Sequence, residues 1–177
     1  MGTPKALLPW GDRPLALAHA EAARAAGCAR VCVVVREAVA RVLPPAPEGV
    51  RWCVSREDPA LGPAGSIRAA LREEISADRI ALSPVDLDPE AWRCLPMLSN
   101  ALGDKGIAAK PAYGSRRGHP VLVRAEALAP YRLGEAPPLR ALLAALGPRV
   151  IVVPVDLPAV LGDLDTPEDL RVGKDPA

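Results

Sequence analysis

Carboxylates at the ends of apolar runs, and one lysine close to the start, are the residues through which this chain could do phosphate chemistry. Gly2-Thr3-Pro4-Lys5 joins a flexible residue, a stiff turn and a cation, the parts of a loop that presents backbone N–H groups and one ammonium to phosphates. Standing alone, a lysine so near the start reads as a solvated surface charge. Asp86 closes an apolar run and is the first charged residue after Ile80, so its carboxylate emerges where a Mg²⁺ bridging phosphates can sit. The competing reading is a turn or capping aspartate, a part that Asp88, ahead of Pro89-Glu90, also suits. Residues 162–170 pack four carboxylates around a helix start. Thr166 as N-cap, Pro167 at the first helical position and Asp169 three residues after the cap account for the start itself, and the helix dipole accounts for Glu168 and Asp169. Asp165, just before the cap, is left as the better metal ligand. Asp156 competes with it, although the neighbouring Pro158 suggests a turn.

Two further segments carry binding potential. Gly114-Ser115-Arg116-Arg117-Gly118-His119-Pro120 sets two cations and an imidazole among glycines before an apolar run, which suits an anionic substrate. Its plain alternative is an exposed basic turn with a structural histidine. Leu61 to Arg68 runs a glycine loop, with Gly65 and Ser66, into a helix N-terminus, either an anion or base-contact site or an ordinary capped helix.

The elements that must position these residues follow from the apolar periodicity. Pro14 stands at a helix start, and Leu15, Ala18, Ala22 and Ala25 repeat at helical spacing until Gly27. Val31 to Val35 is a continuous apolar run that fits a strand buried on both faces. A short helix at 37–43, a strand at 50–55, a helix around 66–75, a strand at 79–85 and a helix at 90–102 follow. Strands at 106–113 and 120–123, a helix at 140–146, a strand at 150–155 and a last helix from Pro167 complete the order. This alternation predicts one α/β domain, doubly wound, with a mainly parallel, Rossmann-like sheet and ligands at the carboxyl ends of its strands.

Composition narrows the partners. With 22 basic and 21 acidic residues and no long block of one sign, the 177-residue chain shows no footprint for nucleic acid. Its uncharged apolar runs are strand-sized, which argues against a membrane span and for a cytoplasmic protein. Cys28, Cys32, Cys53 and Cys94 form no C-x-x-C pair and read as small buried hydrophobes rather than as a zinc site or a disulfide framework.

Taken in order, these segments resemble the MobA-like NTP transferase family, in its molybdenum cofactor cytidylyltransferase branch. Met1 to Gly11 resembles the end of the family's L-A-A-G-x-S-x-R-M-G-x-P-K-x-L signature, and Gly65 to Leu71 its G-x-S-L-R-x-x-L segment. Pro84-Val85-Asp86 matches its P-x-D, Gly114 to Pro120 its G-x-R-x-G-H-P, and Asp163 to Leu170 its D-I-D-T-P-E-D-L ending. Leu87-Asp88 departs from the Met or Leu and then Pro that usually follow. The resemblance implies a nucleotidyltransferase of the glycosyltransferase-A-like type. A phosphate of the acceptor, molybdopterin or a similar small molecule, attacks the α-phosphate of CTP or GTP and pyrophosphate leaves. Gly2, Lys5, Gly65 and Ser66 would bind the nucleotide, with Lys5 the catalytic cation. Asp86 and Asp165 would hold Mg²⁺, and Arg117, Gly118 and His119 would face the acceptor. The family pattern also has an apolar central strand and a glycine-rich turn ahead of Met1, a position that falls on the family's internal methionine. A start codon assigned too far downstream is the first expectation. Real loss, leaving a non-catalytic relative that binds nucleotide or a partner enzyme, is the second, and a homodimer would be one way to complete the sheet.

Overall fold

Helical and strand periodicity alternate in space as they do in sequence among residues 3–73, 77–104, 106–162 and 164, which the computed structural model describes. The helix expected from Pro167 lies outside these residues, as do Gly2, Asp163 and Asp165. After a 3₁₀ turn at Lys5–Leu7, a small antiparallel hairpin pairs β1 (Pro9–Trp10) with β2 (Arg13–Pro14). Pro14 is the extended N-cap of α1 (Leu15–Ala25), one place earlier than its expected first helical position, and Gly27 stops the chain behind it at φ 101°. Then come β3 (Val31–Val35), α2 (Glu37–Ala40), β4 (Val50–Val54), α3 (Gly62–Leu71), β5 (Arg79–Leu82), α4 (Leu95–Leu102), β6 (Ala108–Tyr113) and β7 (Arg116–Arg117). The order ends with β8 (Val121–Arg124), α5 (Ala129–Arg132), α6 (Leu139–Leu146) and β9 (Val150–Pro154).

The helix expected at 37–43 is shorter, Glu37–Ala40, α5 was not expected, and two further helices differ because of a proline. α3 starts at Gly62 instead of Ser66, since Pro63 fits the first helical turn, where no N–H partner is needed. The helix expected at 90–102 divides into a 3₁₀ segment, Pro89–Cys94, and α4, because Pro96 has no N–H to give to Trp92 and an α-helix can run only onward from there.

The strands form two sheets beside the hairpin. β3 and β4 pair in parallel from Val31↔Val50 to Val35↔Val54. In the other sheet β8 lies between β5 and β6, antiparallel to both, and β9 runs parallel to β6 on its far edge. β5, β6 and β9 therefore point the same way. β8 opposes them because the link from Tyr113 to Val121 is too short for a crossover. Helices cover both faces of this sheet, as strand alternation shows. Ala109 and Leu122 pack with Ala23, Leu87, Trp92 and Leu98, whereas their neighbours Ala108, Val121 and Val123 pack with Ile67, Leu128, Tyr131 and Leu143 on the other side. Between β3 and β5 no strand is bonded among the described residues, and both border a cleft of about 1950 Å³.

Cys32 and Cys53 correct the reading of the cysteines. They form a disulfide with Cα atoms 6.0 Å apart, joining β3 to β4. The parallel register sets Cys53 opposite Val34, so Cys32 and Cys53 share one face at a diagonal, a proximity that a spacing of 21 residues does not announce. Cys94 is a buried free thiol as expected, and Cys28 is half-buried. No helix among the described residues is long and apolar enough to cross a membrane.

Candidate functional site

Because β5, β6 and β9 are parallel, the loops that follow them gather at one edge. The loop after β5 carries Asp86, whose Oδ2 accepts a hydrogen bond from Lys5 Nζ at 2.8 Å. Lys5 and Asp86 stand 81 residues apart in sequence, and their side chains are 34% and 33% exposed, open enough for a ligand to reach the pair. The backbone behind Asp86 is held firmly. Its carbonyl accepts Leu164 N–H at 2.6 Å, Asp88 N–H donates to Gly162 O at 2.9 Å, and the Leu87 side chain is 1% exposed in the core. Asp88 takes the capping part expected for it, its Oδ1 accepting Glu90 N–H at 2.9 Å, and burial lifts its carboxyl above the ordinary value. Asp156 is exposed after β9.

No three His, Cys, Asp or Glu side chains gather as a metal cage among the described residues. Mg²⁺ is commonly held by one or two carboxylates while phosphates and water supply its other ligands, and Asp86, a partly exposed hard oxygen donor beside a lysine, fits that mode.

Gly65 and Ser66 sit inside α3 and not in a loop ahead of it. Gly65 lets the helix close on the preceding turn, since a Cβ there would stand 3.0 Å from Leu61 Cβ and 3.3 Å from Glu57 Cβ. Ser66 lines a small hollow with Arg36, Ser55, Asp58 and Glu57. Glu57 is buried beneath Arg68 and Arg72, and the Arg68 guanidinium that hydrogen-bonds it holds its carboxyl below the usual value.

The third segment follows β6. Arg117 is exposed, whereas Gly118 is pressed against the chain at 160: its N–H donates to Pro111 O at 2.9 Å, and a Cβ there would collide with Val160 O. Gly118 thus contributes a close approach and has no amide left for a ligand. His119 N–H donates to Val160 O at 2.9 Å ahead of the cis bond to Pro120, and Arg117, Gly118 and His119 all border the cleft.

Sequence reasoning missed two residues here. Lys110, on β6, shares a sheet face with Arg117, because Arg117 opposes Ala112 two residues further along β6. Burial, and then the nearby Arg117 charge, pull its ammonium below the usual value. Neither Lys110 nor Arg117 has an ion pair among the described residues. Lys110 is the single charge in the run from Ile107 to Tyr113, which was the available signal. His19 meets the Asp86 loop from α1, and burial lowers its pKa to about 4. A polar residue four positions after Leu15 on the apolar stripe of α1 was its signal.

A family model described as the MobA-like NTP transferase domain matches residues 1–149. No curated protein matches the chain. Among solved structures, Rv0371c of Mycobacterium tuberculosis H37Rv is 25% identical with a TM-score of 0.69, over 98% of this chain and 89% of that one. A manganese complex of Rv0371c is 24% identical with a TM-score of 0.68, over 97% and 92%. The 2-C-methyl-D-erythritol 4-phosphate cytidylyltransferase of Thermus thermophilus is 25% identical with a TM-score of 0.62, over 97% and 92%. Molybdopterin-guanine dinucleotide biosynthesis protein A of Archaeoglobus fulgidus shares the fold at 19% identity and a TM-score of 0.65, over 98% and 90%.

Proposed function

This chain belongs to the MobA-like NTP transferase family, and from that premise we propose that it transfers a nucleotidyl group, CMP first and GMP second, to a small phosphorylated acceptor such as molybdopterin. The observation that carries the proposal is the contact of Lys5 Nζ with Asp86 Oδ2 at 2.8 Å, at the carboxyl edge of the parallel strands. An acceptor phosphate oxygen bonds to the α-phosphorus of the NTP, the bond from that phosphorus to the β-phosphate oxygen breaks, and pyrophosphate leaves with the electron pair. Little covalent chemistry falls to the protein in such a transfer, so positioning and charge neutralisation dominate. Lys5 neutralises the phosphates on one side. Asp86, together with Asp165, would hold Mg²⁺, which when bound supplies Lewis acidity and further neutralisation; the neighbouring manganese complex supports a divalent ion. Gly65 and Ser66 would take the nucleotide from within α3, where Ser66 borders both the cleft and the small hollow beside Arg36. Arg117 and His119 would face the acceptor from the edge of the cleft, Gly118 allowing the loop its close approach.

Pyrophosphate release with each of the four NTPs, Mg²⁺ or Mn²⁺, and molybdopterin tests this reading. Turnover with CTP above the other nucleotides is the expected result, lost in Asp86→Asn and Lys5→Ala. Stabilisation by NTP without any pyrophosphate release would instead mark a protein that binds nucleotide and does not transfer it.

A further inference from the structure

Behind the Asp86 loop stands a buried imidazole to which the proposed transfer gives no role. His19 is 5% exposed on α1, and Trp92, 7% exposed, donates its indole N–H to His19 Nδ1 at 3.0 Å. An indole nitrogen can only donate, so Nδ1 must be the accepting nitrogen and the ring proton must sit on Nε2. Nε2 lies 2.7 Å from Leu87 O, to which it therefore donates. Burial keeps the ring neutral at physiological pH, which preserves this tautomer.

The peptide that joins Leu87 to Asp88 is thus gripped at both ends, its carbonyl by His19 and its N–H by Gly162 O, while the peptide before it is held by Leu164. Neither backbone bond involves α1. Ala16 and Ala23 of α1 pack against Val85 and Leu87 of this loop, and His19 adds the hydrogen bond from the helix to it; α1 is itself tethered to the Lys5 segment by Leu15 N–H donating to Leu8 O at 2.8 Å. The two halves of the Lys5–Asp86 pair are carried by different stretches of chain, and the imidazole bridges them a second time, away from solvent.

We propose that His19 is a positioning residue: the hydrogen-bond chain Trp92–His19–Leu87 fixes the direction of the Asp86 carboxylate, and with it the divalent-ion and phosphate geometry of the site. This rests on the reading of Asp86 as the ion's carboxylate ligand. Removing an outer partner that orients a metal ligand costs roughly 10–100-fold in metal affinity or activity.

The test is Mn²⁺ titration followed by electron paramagnetic resonance, with CTP present, on wild type, His19→Leu, His19→Gln, Trp92→Phe and Asp86→Asn, alongside kcat and KM for CTP. His19→Leu is expected to weaken Mn²⁺ binding and lower kcat by about tenfold with KM for CTP nearly unchanged. His19→Gln, whose amide N–H can reach Leu87 O, is expected to restore most of both, and Trp92→Phe to fall between. A structural role alone would lower the melting temperature and leave the Mn²⁺ affinity of the folded protein where it was. Wild-type affinity in His19→Leu, or an equal loss in His19→Gln, overturns the proposal while Asp86→Asn still abolishes binding. Should His19→Leu fail to fold, the ranking of His19→Gln and Trp92→Phe decides. Wild-type affinity in Asp86→Asn overturns the metal reading itself, and the proposal with it.

Discussion

The loops that follow β5 and β6 lie at the same edge of one sheet and are built on opposite plans. Around Asp86 the charge is answered within the molecule: Lys5 meets the carboxylate, and Leu164, Gly162 and a neutral His19 hold the backbone. Around Arg117 the backbone is held as well, through Gly118 and His119, but Lys110 and Arg117 repel each other on one face and meet no carboxylate among the described residues. Unanswered like charges are a cost to the empty protein that an anion would relieve. The first loop is a finished arrangement that a ligand joins, whereas the second is completed by the ligand. This is the division of labour expected if the metal-phosphate chemistry sits at the first loop and the acceptor at the second.

The sharpest way to break this comparison is to remove one half of the pair. Asp86→Asn is expected to lower the rate of pyrophosphate release by about 10²–10³, the scale of losing one preorganised charge at a reacting phosphate. A variant that kept full activity would move the chemistry elsewhere.

Acid acts next, and reaches the first loop through His19. His19 has a pKa of about 4 in the fold against 6.5 when unfolded, so between these values the unfolded chain takes up the proton and the folded one does not. Stability is therefore full above about pH 6.5 and is lost as pH falls toward 4, by roughly 3 kcal/mol at one pKa unit per 1.4 kcal/mol. Glu57, held low by Arg68, adds stability that is present above its ordinary value near 4.5 and is lost at still lower pH. Urea denaturation across pH 3.5–7.5 would read both, and the upper part of the curve should flatten in His19→Gln.

A smaller effect is expected at the second loop. Gly118→Ala forces a methyl against Val160 O and should cost about 1–3 kcal/mol through overpacking, read as a lower melting temperature. The smallest change is the most discriminating. Lys110→Ala should raise KM for the acceptor by about tenfold and leave kcat and KM for CTP nearly unchanged, with no loss of stability because a repulsion has been removed. If Lys110→Ala instead destabilised the protein, the cation would be part of the framework and the contrast between the loops would collapse.

Most of the element order was legible in the sequence, because an apolar run such as Val31–Val35 and a helical stripe such as that after Leu15 are local patterns. Asp88 as a cap was legible for the same reason, through Pro89 and Glu90 beside it. What escaped were contacts whose partners lie far apart. Nothing near Lys5 indicates Asp86, nothing in an alanine-rich helix indicates that His19 will meet Leu87, and the Cys32–Cys53 bond depends on a register that only the assembled sheet defines. The antiparallel turn of β8 also lay hidden, since the strand itself reads like its parallel neighbours.

The cleft between β3 and β5 is bordered by two strand edges. Each of these strands is bonded along one edge only among the described residues, and a strand edge of this kind is a template on which another extended chain can lie. Both strands border the same cleft, so the polar backbone edges of β3 and β5 are among the groups that line it.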